Sequence, residues 1–139
     1  MVKDNALTCV SDDDMNWVGI ALVKKTEMLY RGYKHSPQIT IAAFRSKLHI
    51  TGLAGGPFTL VLPYSTLDNH KMEQEQFTEH YNEPIPEGVL ERLLQIELFN
   101  KYYSEDGIAP KDFILDCSLQ RTAGQFVGSG WAPLANLSL

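Results

Sequence analysis

The stretch 86–103 constrains the fold more than any other part of the chain. Pro86 suits the first position of a helix, while Asp106-Gly107 closes it and Pro110 prevents a restart. Val89, Leu90, Leu93, Leu94, Ile96, Leu98, Phe99, Tyr102 and Tyr103 spread around most of a 100° wheel and leave only narrow polar strips. A helix with so wide an apolar surface is buried on more than one side. It is expected either to be the central helix of the fold or to be shared with another copy of the chain.

The rest of the sequence supplies material to cover such a helix. The chain has 139 residues, 44% apolar and 21% charged, which suits one globular domain spanning 1–139. That composition excludes a disordered chain, a collagen-like chain and a disulfide-framework miniprotein. The stretch 16–23, Asn-Trp-Val-Gly-Ile-Ala-Leu-Val, reads as a strand with Val18, Ile20 and Leu22 on one face and Trp17 on the other. The stretch 38–44 alternates through Ile39, Ile41 and Ala43. The stretch 46–53 alternates again, with Leu48 and Ile50 inward and Lys47, His49 and Thr51 outward. Gly52, Gly55, Gly56 and Pro57 form a turn, and Phe58, Leu60 and Leu62 face one side of a further strand. Ser65-Thr66-Leu67-Asp68 has the form of a capping box, which predicts a polar helix over 68–81. Residues 111–120 and 124–131 read as a final pair of strands, and the uncharged tail 132–139 is expected to pack. Together these predict an α+β domain: an antiparallel sheet, built from a meander and a C-terminal hairpin, with two central helices packed on one face.

Charge is distributed by region. The chain carries a net −5, yet 68–106 holds ten acids and three bases, a net of −7, and the remainder is +2. The run Asp12-Asp13-Asp14 reads as a solvated turn or an edge gatekeeper. Basic residues are scattered, with Lys24-Lys25 the only adjacent pair, which disfavours direct nucleic-acid binding. Cys9 and Cys117 each stand in an apolar context and lack a CxxC or histidine neighbour, so both are expected to be core thiols in a reducing compartment. The N-terminal residues lack a signal-peptide h-region, and no apolar run approaches the length of a membrane span. The expectation is a cytoplasmic protein without a membrane partner.

Residues that could carry chemistry are few. Leu48-His49-Ile50-Thr51 would place an imidazole and a hydroxyl about 7 Å apart on one side of a strand. Phosphoesterases of the two-histidine type need two such motifs, and His35, His70 and His80 do not repeat it. His70 and His80 are too far apart on one helix to share an ion, so no metal site is expected, and no motif asks for a cofactor. The glycines at 52–56 lack the lysine and the following helix of a phosphate loop.

The functional expectation is therefore a non-enzymatic interaction module. Its acidic helical face, with Glu73, Glu79, Glu83, Glu87 and Glu91, would meet a basic surface on a protein partner. A homodimer through the apolar helix 86–103 would accompany it. The alternative is a small-molecule pocket or small enzyme using His49 as acid/base, with Tyr64, Asp116 and Arg121 as further polar groups. Tyr64 stands where an amphipathic ring would rim a pocket or interface.

Overall fold

The structure, a computed structural model, describes residues 10–35, 37–65 and 79–135. Contacts divide the chain into two compact units, Met1–Tyr103 and Ser104–Leu139.

The first unit is built around a helix. Ser11 opens the helical region with a capping box: its hydroxyl accepts from the Asp14 N–H at 3.1 Å, and the Asp14 carboxylate accepts from the Ser11 N–H at 3.0 Å. The short α1 (Asp12–Met15) leads into α2 (Trp17–Gly32). Strand β1 (Ile39–Ile41), helix α3 (Lys47–Thr51) and strand β2 (Phe58–Leu60) follow. The two strands pair in parallel with Ile39 opposite Phe58, Thr40 opposite Thr59 and Ile41 opposite Leu60. Helices α4 (Glu87–Leu94) and α5 (Glu97–Tyr103) complete the unit.

Helix α2 occupies the centre because its apolar residues cover two adjoining arcs. At 100° per residue, Trp17, Ile20 and Val23 fall within one arc and Val18, Ala21 and Leu22 within the next. Ile20 packs with Phe44, Ile50 and Leu53 under the strands and α3. Ala21 packs with Leu93 and Phe99 of α4 and α5. Trp17 contributes to both clusters. The approach of α3 to α2 is close enough that a Cβ on Gly52 would lie 3.1 Å from Ile20 Cδ1.

These elements overturn the expected antiparallel sheet. The run 16–23 is helical, since a short apolar stretch reads equally as a strand or as a buried helix segment. The helix formers that follow, through Lys24, Lys25, Glu27, Met28 and Leu29, extend it to Gly32. The stretch 46–53 is α3 and not a strand, so β1 and β2 are separated by a helical crossover and pair in parallel. His49 and Thr51 consequently lie about 200° apart around a helix and share no face. The expected single helix over 86–103 is two, separated at Gln95 and Ile96, where the Gln95 and Ile96 N–H groups donate three residues back to Arg92 and Leu93. Pro86 flanks α4 as its N-cap in an extended conformation. Most of the helix expected over 68–81 lies outside the described residues, as does Cys9.

The second unit contains no strand among its described residues. Pro110 begins a 3-10 helix, Pro110–Leu115. Asp116 then caps α6 (Cys117–Gln125), its carboxylate accepting from Ser118 N–H at 3.0 Å and Leu119 N–H at 3.3 Å. A π-helical segment, Phe126–Trp131, and α7 (Ala132–Ala135) continue directly from it. The expected C-terminal hairpin over 111–120 and 124–131 is therefore helical, because a proline start and an aspartate cap outweigh an alternation of apolar residues. Cys117 is a free, exposed thiol and not a core residue.

Candidate functional site

The residues anticipated for a site have diverse fates. Glu87 and Glu91 are exposed and one turn apart on α4, on the side away from buried Leu93. Glu83 is exposed and takes the His80 Nδ1 at 2.8 Å. Glu79 is exposed, and its side chain lies over Gly55: a Cβ there would sit 2.7 Å from Glu79 Cγ. Gly55 also has φ +85°, in the left-handed region that glycine enters freely. Glu73 lies outside the described residues. Tyr64 is 83% exposed. Arg121 is exposed on α6, and Asp116 is committed to its cap.

His49 serves the backbone. Its Nδ1 accepts from the Arg45 N–H at 3.2 Å, which leaves Nε2 as the protonated nitrogen, donating to the Asn16 carbonyl at 2.8 Å. Both nitrogens are thereby occupied, Nδ1 by the segment that enters α3 and Nε2 by the residue before α2.

Two polar clusters escaped the reading of the sequence. At the first, Arg92 of α4 makes a forked contact with Asp14 of α1, Nε to Oδ2 at 2.9 Å and Nη2 to Oδ1 at 2.6 Å. The Arg92 guanidinium, with the Ser11 N–H, holds the Asp14 carboxyl well below the usual carboxylate range. Ser11-x-x-Asp14 has the same capping form as 65–68, so its local half was visible in the sequence.

The second cluster joins α2 to residues 80–83. Glu27, 9% exposed, receives Arg31 Nε at 2.9 Å and Nη2 at 2.5 Å on one oxygen. Its other oxygen receives the Tyr81 hydroxyl at 2.5 Å. Burial, with the Glu27 carboxylate beside it, pushes the Tyr81 hydroxyl up to about 12. The Tyr81 ring meets Phe58 edge-on at 5.1 Å, and Lys24 Nζ stands 5.6 Å from its centroid. Lys24 also donates to the Glu83 carbonyl at 2.7 Å. Partial burial lowers the Lys24 ammonium, against the pull of Glu83. The Tyr81 N–H donates to the Ala54 carbonyl at 3.0 Å.

Beside this cluster lies a half-enclosed cleft of about 250 Å³, lined by Trp17 and Lys24 of α2, Leu48 and Thr51 of α3, and His80 and Glu83. Among the described residues no group of histidine, cysteine or acidic side chains is arranged to hold a metal ion. Nor is any described helix long and apolar enough to cross a membrane. Comparison with protein families, with curated proteins and with solved structures returned no match.

Proposed function

We propose that the protein acts by binding other protein chains. The observation that carries this reading is the exposure of the C-terminal helices. From Pro110 to Ala135 every residue except Asp116 is exposed, including Phe113, Ile114, Leu119, Val127 and Leu134. Leu115, Phe126 and Trp131 are 77, 70 and 70% exposed. Helices that bury no apolar side chain have little to offset the entropy of ordering them, and most helical stability in proteins comes from packing. Large apolar side chains exposed at this density are characteristic of an interaction site. Arg121 is the only charged residue on 117–135, so little opposes desolvation.

A second copy is the occupant we assign to this surface. The wide apolar side of 86–103, the other basis for self-association, is largely spent inside the chain, where Leu93 and Phe99 are buried against α2. The acidic side of α4, Glu87 and Glu91, with Glu83 and Glu79 before it, is the face we assign to a basic partner surface. Complementary charge there speeds encounter and selects the partner more than it adds affinity. The exposed Cys117 thiol fits a reducing, cytoplasmic setting.

Sedimentation of the full chain tests the first part. The wild type is expected to self-associate, and Phe126→Asp with Trp131→Asp to be monomeric with unchanged signals from the first unit. For the second part, binding to a lysine-rich peptide is expected to weaken steeply with salt and to be lost in Glu87→Lys/Glu91→Lys. A monomeric wild type that binds the peptide without salt dependence ends this reading.

A further inference from the structure

The cleft beside α2 carries chemistry that a protein-binding surface does not use. We infer that it is a binding site for a small organic anion with a flat apolar body, a ring carboxylate being the simplest member of the class. Three features define that class.

The first is shape. At about 250 Å³ the cleft holds some eight waters' worth of liquid volume, which suits a one- or two-ring molecule. The second is the apolar wall. The Trp17 indole and the Leu48 side chain line it, and both belong to the packed core around Ile20, so the wall is rigid. A ring laid against an indole gains contact area without ordering flexible groups.

The third is the donor set. An ammonium has three N–H groups. Lys24 commits one to the Glu83 carbonyl and holds its charge near the Tyr81 ring, which leaves donor capacity at the cleft it lines. His80 donates its Nδ1–H to the Glu83 carboxylate, so its Nε2 is the lone-pair nitrogen and offers the cleft an acceptor, which leaves Lys24 as the charged donor of the site. The Glu83 carboxylate is turned onto His80 and is two-thirds exposed, so water screens most of its repulsion. The Thr51 hydroxyl donates to the Lys47 and Leu48 carbonyls, leaving its oxygen as a further acceptor. Partial desolvation of Lys24, which lowers its affinity for the proton, is relieved when an anion arrives.

The test is an NMR titration of the full chain with benzoate and indole-3-carboxylate, and with benzamide as the uncharged counterpart. Saturable shifts are expected at Trp17, Thr51 and His80 with both carboxylates. Affinity is expected to fall about tenfold in Lys24→Met and for benzamide, the scale of one lost charge contact. His80→Phe keeps a flat ring and removes only an acceptor, so benzoate affinity is expected to stay within about twofold of wild type, unlike Lys24→Met. Dispersed spectra of both variants establish that they are folded. No saturable shift at these residues, or equal binding of benzamide and benzoate, overturns the proposal. Loss of self-association in Phe126→Asp/Trp131→Asp with benzoate binding intact separates this site from the protein-binding surface.

Discussion

Replacing Tyr81 by phenylalanine isolates one hydrogen bond at the join between α2 and residues 80–83. The ring stays, so its edge contact with Phe58 at 5.1 Å and its place beneath Lys24 at 5.6 Å are kept. What is lost is the hydroxyl donor to Glu27 Oε2 at 2.5 Å. Glu27 is 9% exposed, and Arg31 engages only its other oxygen. Water therefore reaches Oε2 poorly once the hydroxyl is gone. A hydrogen bond to a charged acceptor contributes about 1.5–3 kcal/mol, and the partial exposure of Arg31 beside it argues for roughly 2. With a urea slope near 2 kcal/mol/M, the unfolding midpoint should fall by about 1 M.

The measurement uses Trp17 fluorescence in a Trp131→Phe background, so that only the first unit reports. It is repeated across alkaline pH, where the sign is fixed. The folded state raises the Tyr81 hydroxyl from 10 to about 12, so it favours the protonated form. The contribution is fully present below pH 10 and is lost as pH rises through the folded value. The stability difference between wild type and Tyr81→Phe should therefore be flat from pH 7 to 10 and close between 10 and about 12. A midpoint unchanged at pH 8, or a difference that does not close, refutes the reasoning.

Three further outcomes are expected from the same unit. Leu93→Ala, at a fully buried position against Ala21 and Phe99, should cost about 2–5 kcal/mol in urea unfolding, whereas Leu98→Ala at a half-exposed position should cost well under half as much. The Asp14 carboxyl is depressed by Arg92, so its contribution is present above its unfolded value of 3.8 and is lost as pH falls toward the folded one; Asp14→Asn should destabilise at pH 7 and flatten the acid limb of the unfolding curve below pH 4. His49→Ala leaves the Arg45 N–H and the Asn16 carbonyl without their partner and should cost about 1–3 kcal/mol in urea unfolding, while the affinity for a lysine-rich peptide, measured at low salt, stays unchanged.

What the sequence revealed depended on whether the signal was local. The helical character of 87–94 and 97–103 was legible from apolar spacing, and the acidity of that region from counting. The helix over 17–32 was not, because its apolar residues face two clusters at once and leave no single stripe to read. The alternation at 111–120 was misleading for a different reason. Phe113, Leu115 and Leu119 remain exposed in the structure, so they were never the inner face of a sheet. Their spacing reflects a surface, and Pro110 and Asp116 set the local conformation. Of the candidate site residues, His49 was conspicuous as an imidazole but is held by two backbone groups, one four residues away at Arg45 and one 33 residues away at Asn16. Tyr81, Lys24 and Glu27 were inconspicuous, since 54 positions separate the partners Glu27 and Tyr81.

That long-range join also ties stability to the cleft. Lys24 lines the cleft, donates to the Glu83 carbonyl and lies over the Tyr81 ring, while Tyr81 is fixed to α2 through Glu27. The position of His80 and Glu83 against α2 therefore depends on the neighbouring Tyr81 contact and not on the cleft alone. A ligand with its carboxylate on Lys24 and its ring between Trp17 and His80 would hold the same two chain segments together. Mass action then requires benzoate to stabilise the folded state, by about 2.7 kcal/mol at one hundred times its dissociation constant. Tyr81→Phe, which loosens that join without touching the cleft lining, should weaken benzoate binding and reduce this gain, since part of the binding energy is then spent on restoring the clasp. Equal benzoate affinity in wild type and Tyr81→Phe would mean that the cleft is held by α2 and α3 alone.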